Sequence, residues 1–203
     1  MKDVEQAIAQ VSDIRAQLAA STQFRGYAPE ALVTIAIVCA LLAVAQAMFP
    51  ASLAANSKQF VVLWGGLLVG SNLLVALEAV SRSRRQHGGM AEAMMQSAMR
   101  SVLPFSAAGI VFAVVVWRFA PETIWIVPGT WLLLISLVAF SMHATMPRSI
   151  VWPALWYLFS GTTVLVLAGR SGQLSPWMMG VPLTFGHLAL AWVLRGKDSS
   201  NAR

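Results

Sequence analysis

Six apolar stretches separated by short polar or basic connections most restrict how this 203-residue chain can fold. They run over about 31–49, 60–80, 101–117, 123–142, 150–168 and 176–194. A hydrocarbon core about 30 Å thick takes roughly 20 apolar residues of helix to cross, and each stretch is near that length. The chain is therefore expected to be all-α, an integral membrane bundle of six transmembrane helices. Composition agrees: 58% of residues are hydrophobic and 11% charged, far from the roughly 25% charge of a soluble domain.

The last stretch, PWMMGVPLTFGHLALAWVL, contains no acid or base except His187 and is closed by Arg195 and Lys197. On a helix of 3.6 residues per turn, Gly180, Thr184, His187 and Ala191 form one stripe, and Val181, Phe185, Leu188 and Trp192 form a bulky flank. The small, polar stripe should face protein and the bulky flank lipid. The second span is the expected neighbour of the stripe. In that second span Gly66 and Gly70 stand in GxxxG spacing, which implies close helix packing.

Ahead of the spans, residues 3–20 place Val4, Ile8, Val11 and Leu18 at helical spacing among acids and amides. This predicts a cytoplasmic amphipathic helix in 1–30, without the Lys/Arg face of a membrane-surface helix. It packs either on its own protein or on a cytoplasmic protein partner through residues 1–23. Residues 1–30 carry charges throughout and lack the compact apolar core of a secretory signal, so the first span is expected to act as its own insertion signal.

The 81–101 connection is the most basic, with Arg82, Arg84, Arg85 and Arg100 against Glu92. Gly88 and Gly89 break it, and Met90, Met94, Met95 and Met99 then recur at helical spacing. A short interfacial helix is expected there, leading into the third span with Pro104 in its first turn. Lysines and arginines divide eleven against three: Lys58, Arg118 and Arg170 lie on one side and the others, including the 195–203 tail, on the opposite side. Short-loop charge of this kind is expected to place both termini in the cytoplasm. The four arginines at 82, 84, 85 and 100 are orienting residues at the lipid surface. The net charge of +6 is explained by this asymmetry and calls for no nucleic acid. Tryptophans at 64, 117, 125 and 177 are expected at the outer interface, Tyr27, Trp152 and Trp192 at the inner one, and Trp131, Trp156 and Tyr157 deeper. Arg118 and Trp125 recur as Arg170 and Trp177, an echo that fits either a duplicated hairpin or shared interfacial chemistry.

Polar groups inside a bilayer are costly and form the short list of functional candidates: Gln46, Asn72, Glu78 and His187. Asn72 and His187 should lie at similar depth, and a hydrogen bond between them would satisfy both, as structural glue or as part of a proton relay or ligand site. Glu78 precedes Arg82 by four residues, the favourable order for a surface pair. Cys39 is alone in an apolar span, with no partner for a disulfide or a metal site. Ser160-Gly161 with His187 resembles a serine nucleophile and base, but Leu158 replaces the first glycine of the motif. His143 and His187 differ too much in depth to share a haem. No CxxCH, P-loop, HExxH or GxGxxG occurs, so no cofactor or metal is expected and nothing argues for an enzyme.

Val127-Pro128-Gly129-Thr130-Trp131, Met146-Pro147-Arg148, Leu155-Trp156-Tyr157 and Leu174-Ser175-Pro176-Trp177-Met178-Met179-Gly180 resemble small polytopic bacterial membrane proteins often encoded beside a winged-helix transcriptional regulator. The resemblance covers about 100–194 and implies no catalytic or ligand-binding residue. Those relatives tend to carry Gln where this chain has His187. The expected partners are the lipid bilayer and a regulatory protein, with self-association into a homo-oligomer left open. The competing reading is a small transporter or permease subunit in which Glu78, Asn72 and His187 line a path.

Overall fold

A computed structural model describes residues 29–86, 91–142 and 148–200, with side chains over 29–78, 102–142 and 149–195. Seven α-helices and no strands occur among these residues. The six long ones are α1 Pro29–Met48, α2 Ser57–Gln86, α3 Ala91–Phe119, α4 Ile126–Ser141, α5 Val151–Ser171 and α6 Trp177–Ser200. The seventh is a single turn, Pro50–Leu53, between α1 and α2. The amphipathic helix expected over 3–20, the Gly88-Gly89 break and His143 lie outside the described residues. So do the side chains of Arg82, Arg84, Arg85, Arg100 and the Met stripe.

Five helices are long and apolar enough to cross a membrane: α1, α2, α3, α5 and α6. The helix α4 falls short of the 123–142 span expected for it. Its 16 residues rise about 24 Å at 1.5 Å each, less than the roughly 30 Å core. Pro121 starts a 3₁₀ turn, Pro121–Thr123, and the α-helical bonding begins only at Ile126. A helix this short is accommodated because it lies against protein along much of its length: Val127, Pro128, Gly129, Trp131, Leu132, Ser136 and Ala139 are all buried.

Local chemistry explains several element ends. Pro50 stops α1 and occupies the first turn of the short helix that follows. Asn56 Oδ1 accepts from Gln59 N at 2.8 Å, and Gln59 Oε1 accepts from Ala55 N at 3.1 Å. This reciprocal arrangement opens α2 in the manner of a capping box. The C-terminus of α5 is closed by Gly172 at φ 65°, whose N–H donates to Ala168 O at 2.8 Å. That left-handed position is cheap only for glycine. The third helix differs from its expectation: it runs unbroken from Ala91 through Pro104, which is interior rather than in the first turn.

The helices form a closed circuit, α1–α2–α3–α4–α5–α6 and back to α1, with α4/α5 and α1/α6 the most extensive seams. Both are built on missing side chains. A β-carbon added at Gly129 of α4 would stand 2.6 Å from Leu165 Cγ and 3.0 Å from Gly161 O, and one at Gly161 of α5 would stand 3.0 Å from Gly129 O. The two backbones therefore meet at paired glycines. Gly180 of α6 lies directly on Ala43 of α1. In lipid the tails are as apolar as leucine, so such close contact, not burial from water, holds helices together. Among the described residues, Gly66 and Gly70 have no neighbour where their β-carbons would be. The GxxxG pair expected to be a packing seam faces outward, while Gly65 next to it receives the Trp131 ring, 2.8 Å from its β-carbon position.

Candidate functional site

The polar groups inside the bundle fall into three separate constellations. The first closes the α1/α2 hairpin. Gln46 is 0% exposed; its Nε2 donates to Leu53 O at 3.0 Å and its Oε1 accepts from Trp64 Nε1 at 2.8 Å. Both ends of the amide are used by groups that would otherwise be orphaned in a low-dielectric interior. Trp64 is thus a core residue, also 0% exposed, and not the interfacial anchor expected of it. By contrast Trp117, Trp152, Trp177 and Trp192 are exposed. Lys58 stands 5.4 Å over the Trp117 ring, and Trp125 packs on Gly169, 3.2 Å from its β-carbon position. These contacts gather three residues expected at the outer face, and the neighbour of a fourth, Arg170, at helix ends joined by short turns.

The second constellation ties α4 to its neighbours. Trp131 Nε1 donates to Gly109 O of α3 at 3.0 Å, and Ser136 Oγ donates to Ala154 O of α5 at 2.8 Å. Carbonyls of a helix retain a second lone pair after the internal bond is made, so these side chains bind α4 sideways without unwinding either partner.

The third lies between α5 and α6. His187 Nδ1 is 2.7 Å from Leu183 O, one turn earlier on its own helix, and 3.1 Å from the Tyr157 hydroxyl. Trp156 Nε1 donates to Pro182 O at 3.0 Å beside it. Tyr157 is 0% exposed and its ring meets the imidazole edge-on, centroids 6.2 Å apart. Gly186 makes the approach feasible, because any β-carbon there would overlap the Tyr157 ring. On the α1 side, Thr184 Oγ1 donates to Ala36 O at 3.3 Å.

Asn72 and His187 are not brought together. Asn72 is exposed and its Nδ2 donates to Leu68 O of its own helix at 2.9 Å. Its helix, α2, packs on α1 and α3, whereas His187 is claimed by α5. Glu78 is half-buried near the other end of α2. The Gly180–Ala191 stripe does face protein, and Val181, Phe185, Leu188 and Trp192 are all exposed. Its neighbour, however, is the first helix and not the second, since Gly180 meets Ala43 and Thr184 meets Ala36. Ser160 is not a partner of the His187 ring, whose nitrogen contacts are Tyr157 and Leu183. Tyr157 and Trp64 are the functional-site neighbours that sequence reasoning missed. Both were placed by depth alone, and their pairing partners lie 30 and 18 residues away.

Comparison with protein-family models, curated proteins and solved structures gives no match.

Proposed function

We propose that this chain is a six-span, non-enzymatic protein of the bacterial inner membrane, both termini cytoplasmic, that acts as a membrane-embedded sensor or interaction partner of a regulatory protein. The observation that carries the reading is how the intramembrane polar groups are spent. Gln46, Trp64, Trp131, Ser136, Trp156 and Tyr157 are each turned on a neighbouring helix, its connection or a partner side chain. Among the described residues no buried side-chain nitrogen or oxygen lacks a partner. Polar groups used this way act as glue between helices, whereas a transport path needs them ranged along one route. Asn72, Glu78 and His187 are divided between α2 and the α5/α6 seam, which supports the transporter reading poorly.

In this reading α4, with the turn Pro121–Trp125 before it, is the fourth crossing. Residues 1–23 and the basic 81–101 segment supply the cytoplasmic contact surface, and the resemblance over 100–194 supports a regulator as the partner. The test is affinity purification of the full chain and of a chain lacking residues 1–23, each from gently solubilised membranes. The reading expects at least one cytoplasmic protein to be lost with the segment; retention of every co-purifying protein overturns it.

A further inference from the structure

Two cations stand at one end of the α2/α3 pair with no acid answering them. Lys58 is the second residue of its apolar span and Arg118 the last but one of the next, and the contact of Lys58 with Trp117 brings those two span ends together. Lys58 Nζ lies 5.4 Å over the Trp117 ring, and the Arg118 guanidinium lies 5.6 Å over the Phe119 ring. An aromatic face attracts a cation through its quadrupole but carries no net charge. The rings therefore position both side chains and leave their charge intact. Among the described residues neither cation makes an ion pair or a hydrogen bond, although Glu122 follows Arg118 by four residues and is itself exposed. The Trp117 indole N–H makes no hydrogen bond among them either.

An ammonium, a guanidinium and an indole N–H all donate and none accepts. Their complement is an anionic group made only of acceptors. Below each cation the surface turns apolar. Under Arg118, Val114, Val111 and Leu103 follow at helical spacing and all are exposed. Under Lys58, exposed Val62 and Val69 follow in the same way. The α3 stripe descends about 22 Å at 1.5 Å per residue, more than the roughly 15 Å of one leaflet. A free anion would match the donors and leave the stripes unused. A phospholipid matches both, with its phosphate at the cations and its chains on the valines.

We propose that Lys58, Trp117 and Arg118 bind the phosphodiester of an acidic glycerophospholipid, whose acyl chains lie along the exposed stripes of α2 and α3. An acidic headgroup is favoured over a zwitterionic one because the single carboxylate of Glu122 leaves the cluster net positive, and an added ammonium would be repelled. Arg170, the third basic residue expected at this face, makes no ring contact or ion pair among the described residues and supplies the internal control. The site holds for either orientation of the chain and needs no cytoplasmic partner, so it stands or falls separately from the proposed function.

The test is native mass spectrometry of the full chain in neutral detergent, titrated with phosphatidylglycerol or phosphatidylethanolamine. Phosphatidylglycerol should bind the more tightly, and millimolar inorganic phosphate should not displace it. The double variant Lys58→Gln, Arg118→Gln should weaken phosphatidylglycerol binding at least about tenfold, since each lost hydrogen bond to a charged group is worth about that factor. Lys58→Arg and Arg170→Gln should each leave it unchanged. Equal binding of the two lipids, full displacement by phosphate, or an equal loss in Arg170→Gln overturns the proposal. A second measurement needs no variant: phosphatidylglycerol carrying a diazirine in its acyl chain, added to the unaltered chain in bilayers, should label peptides within 57–78 or 102–119. Labelling confined to other peptides overturns the proposal whether or not the double variant folds.

Discussion

At the scale of single residues, the membrane domain depends on a few side chains that sequence position does not distinguish. Gln46 is one amide on an otherwise apolar helix, yet it holds Trp64 Nε1 and Leu53 O together. Gln46→Leu should destabilise the protein by about 1–3 kcal/mol, because it strands a buried donor and a carbonyl. Asn72→Leu should change stability by less than about 0.5 kcal/mol, since the exposed amide only returns to its own helix. Reversible unfolding in mixed micelles compares the two; equal costs would contradict the assignment. Gly186→Ala places a methyl in the Tyr157 ring. Over-packing of that kind costs about 1–3 kcal/mol, and the expected result is a lowered melting temperature together with a displaced Tyr157.

At the scale of elements, the glycines separate into those that hold a seam and those that do not. Gly129 and Gly161 allow α4 and α5 to touch backbone to backbone, whereas Gly66 and Gly70 look outward from α2. Alanine at 129 or 161 should separate the helices and lower the unfolding temperature. Alanine at 66 or 70 should be neutral or slightly stabilising within this chain, because alanine is preferred to glycine in a helix by about 0.5–1 kcal/mol. A parallel thermal series on the four variants checks this; a loss at position 66 or 70 as large as at 129 would mean that the outward face is covered in the membrane. The motif was legible in the sequence, but its use was not. GxxxG spacing reports only that a helix can be approached closely, and the neighbour that approaches is chosen by shape elsewhere.

At the scale of the whole molecule, the circuit returns α6 to α1, so the two ends of the described chain pack together. Residues Ala36 and Thr184, 148 positions apart, meet across that seam. The proposed orientation makes a direct prediction. In a Cys39→Ala background, Lys58→Cys and Arg170→Cys should react with an impermeant maleimide added outside intact cells, and Lys197→Cys should react only after the membrane is opened. Reaction of Lys197→Cys from outside would invert the topology or change the number of spans.

Length and apolarity were enough to read the helical membrane class from sequence, because crossing hydrocarbon makes the same demand on every span. Five long apolar helices answer to it, and their ends fall close to the prolines and glycines that punctuate the chain. The exposed flank Val181, Phe185, Leu188 and Trp192 was legible for the same reason, as was the protein-facing stripe beside it. Which helix that stripe meets, the shortness of α4, the burial of Trp64 and the Tyr157–His187 pair were decided by the tertiary structure alone. Apolarity does not discriminate between neighbours when the solvent is itself apolar. The choice falls to complementary shape and to individual hydrogen bonds between residues distant in the chain, and these exist only once the helices are assembled.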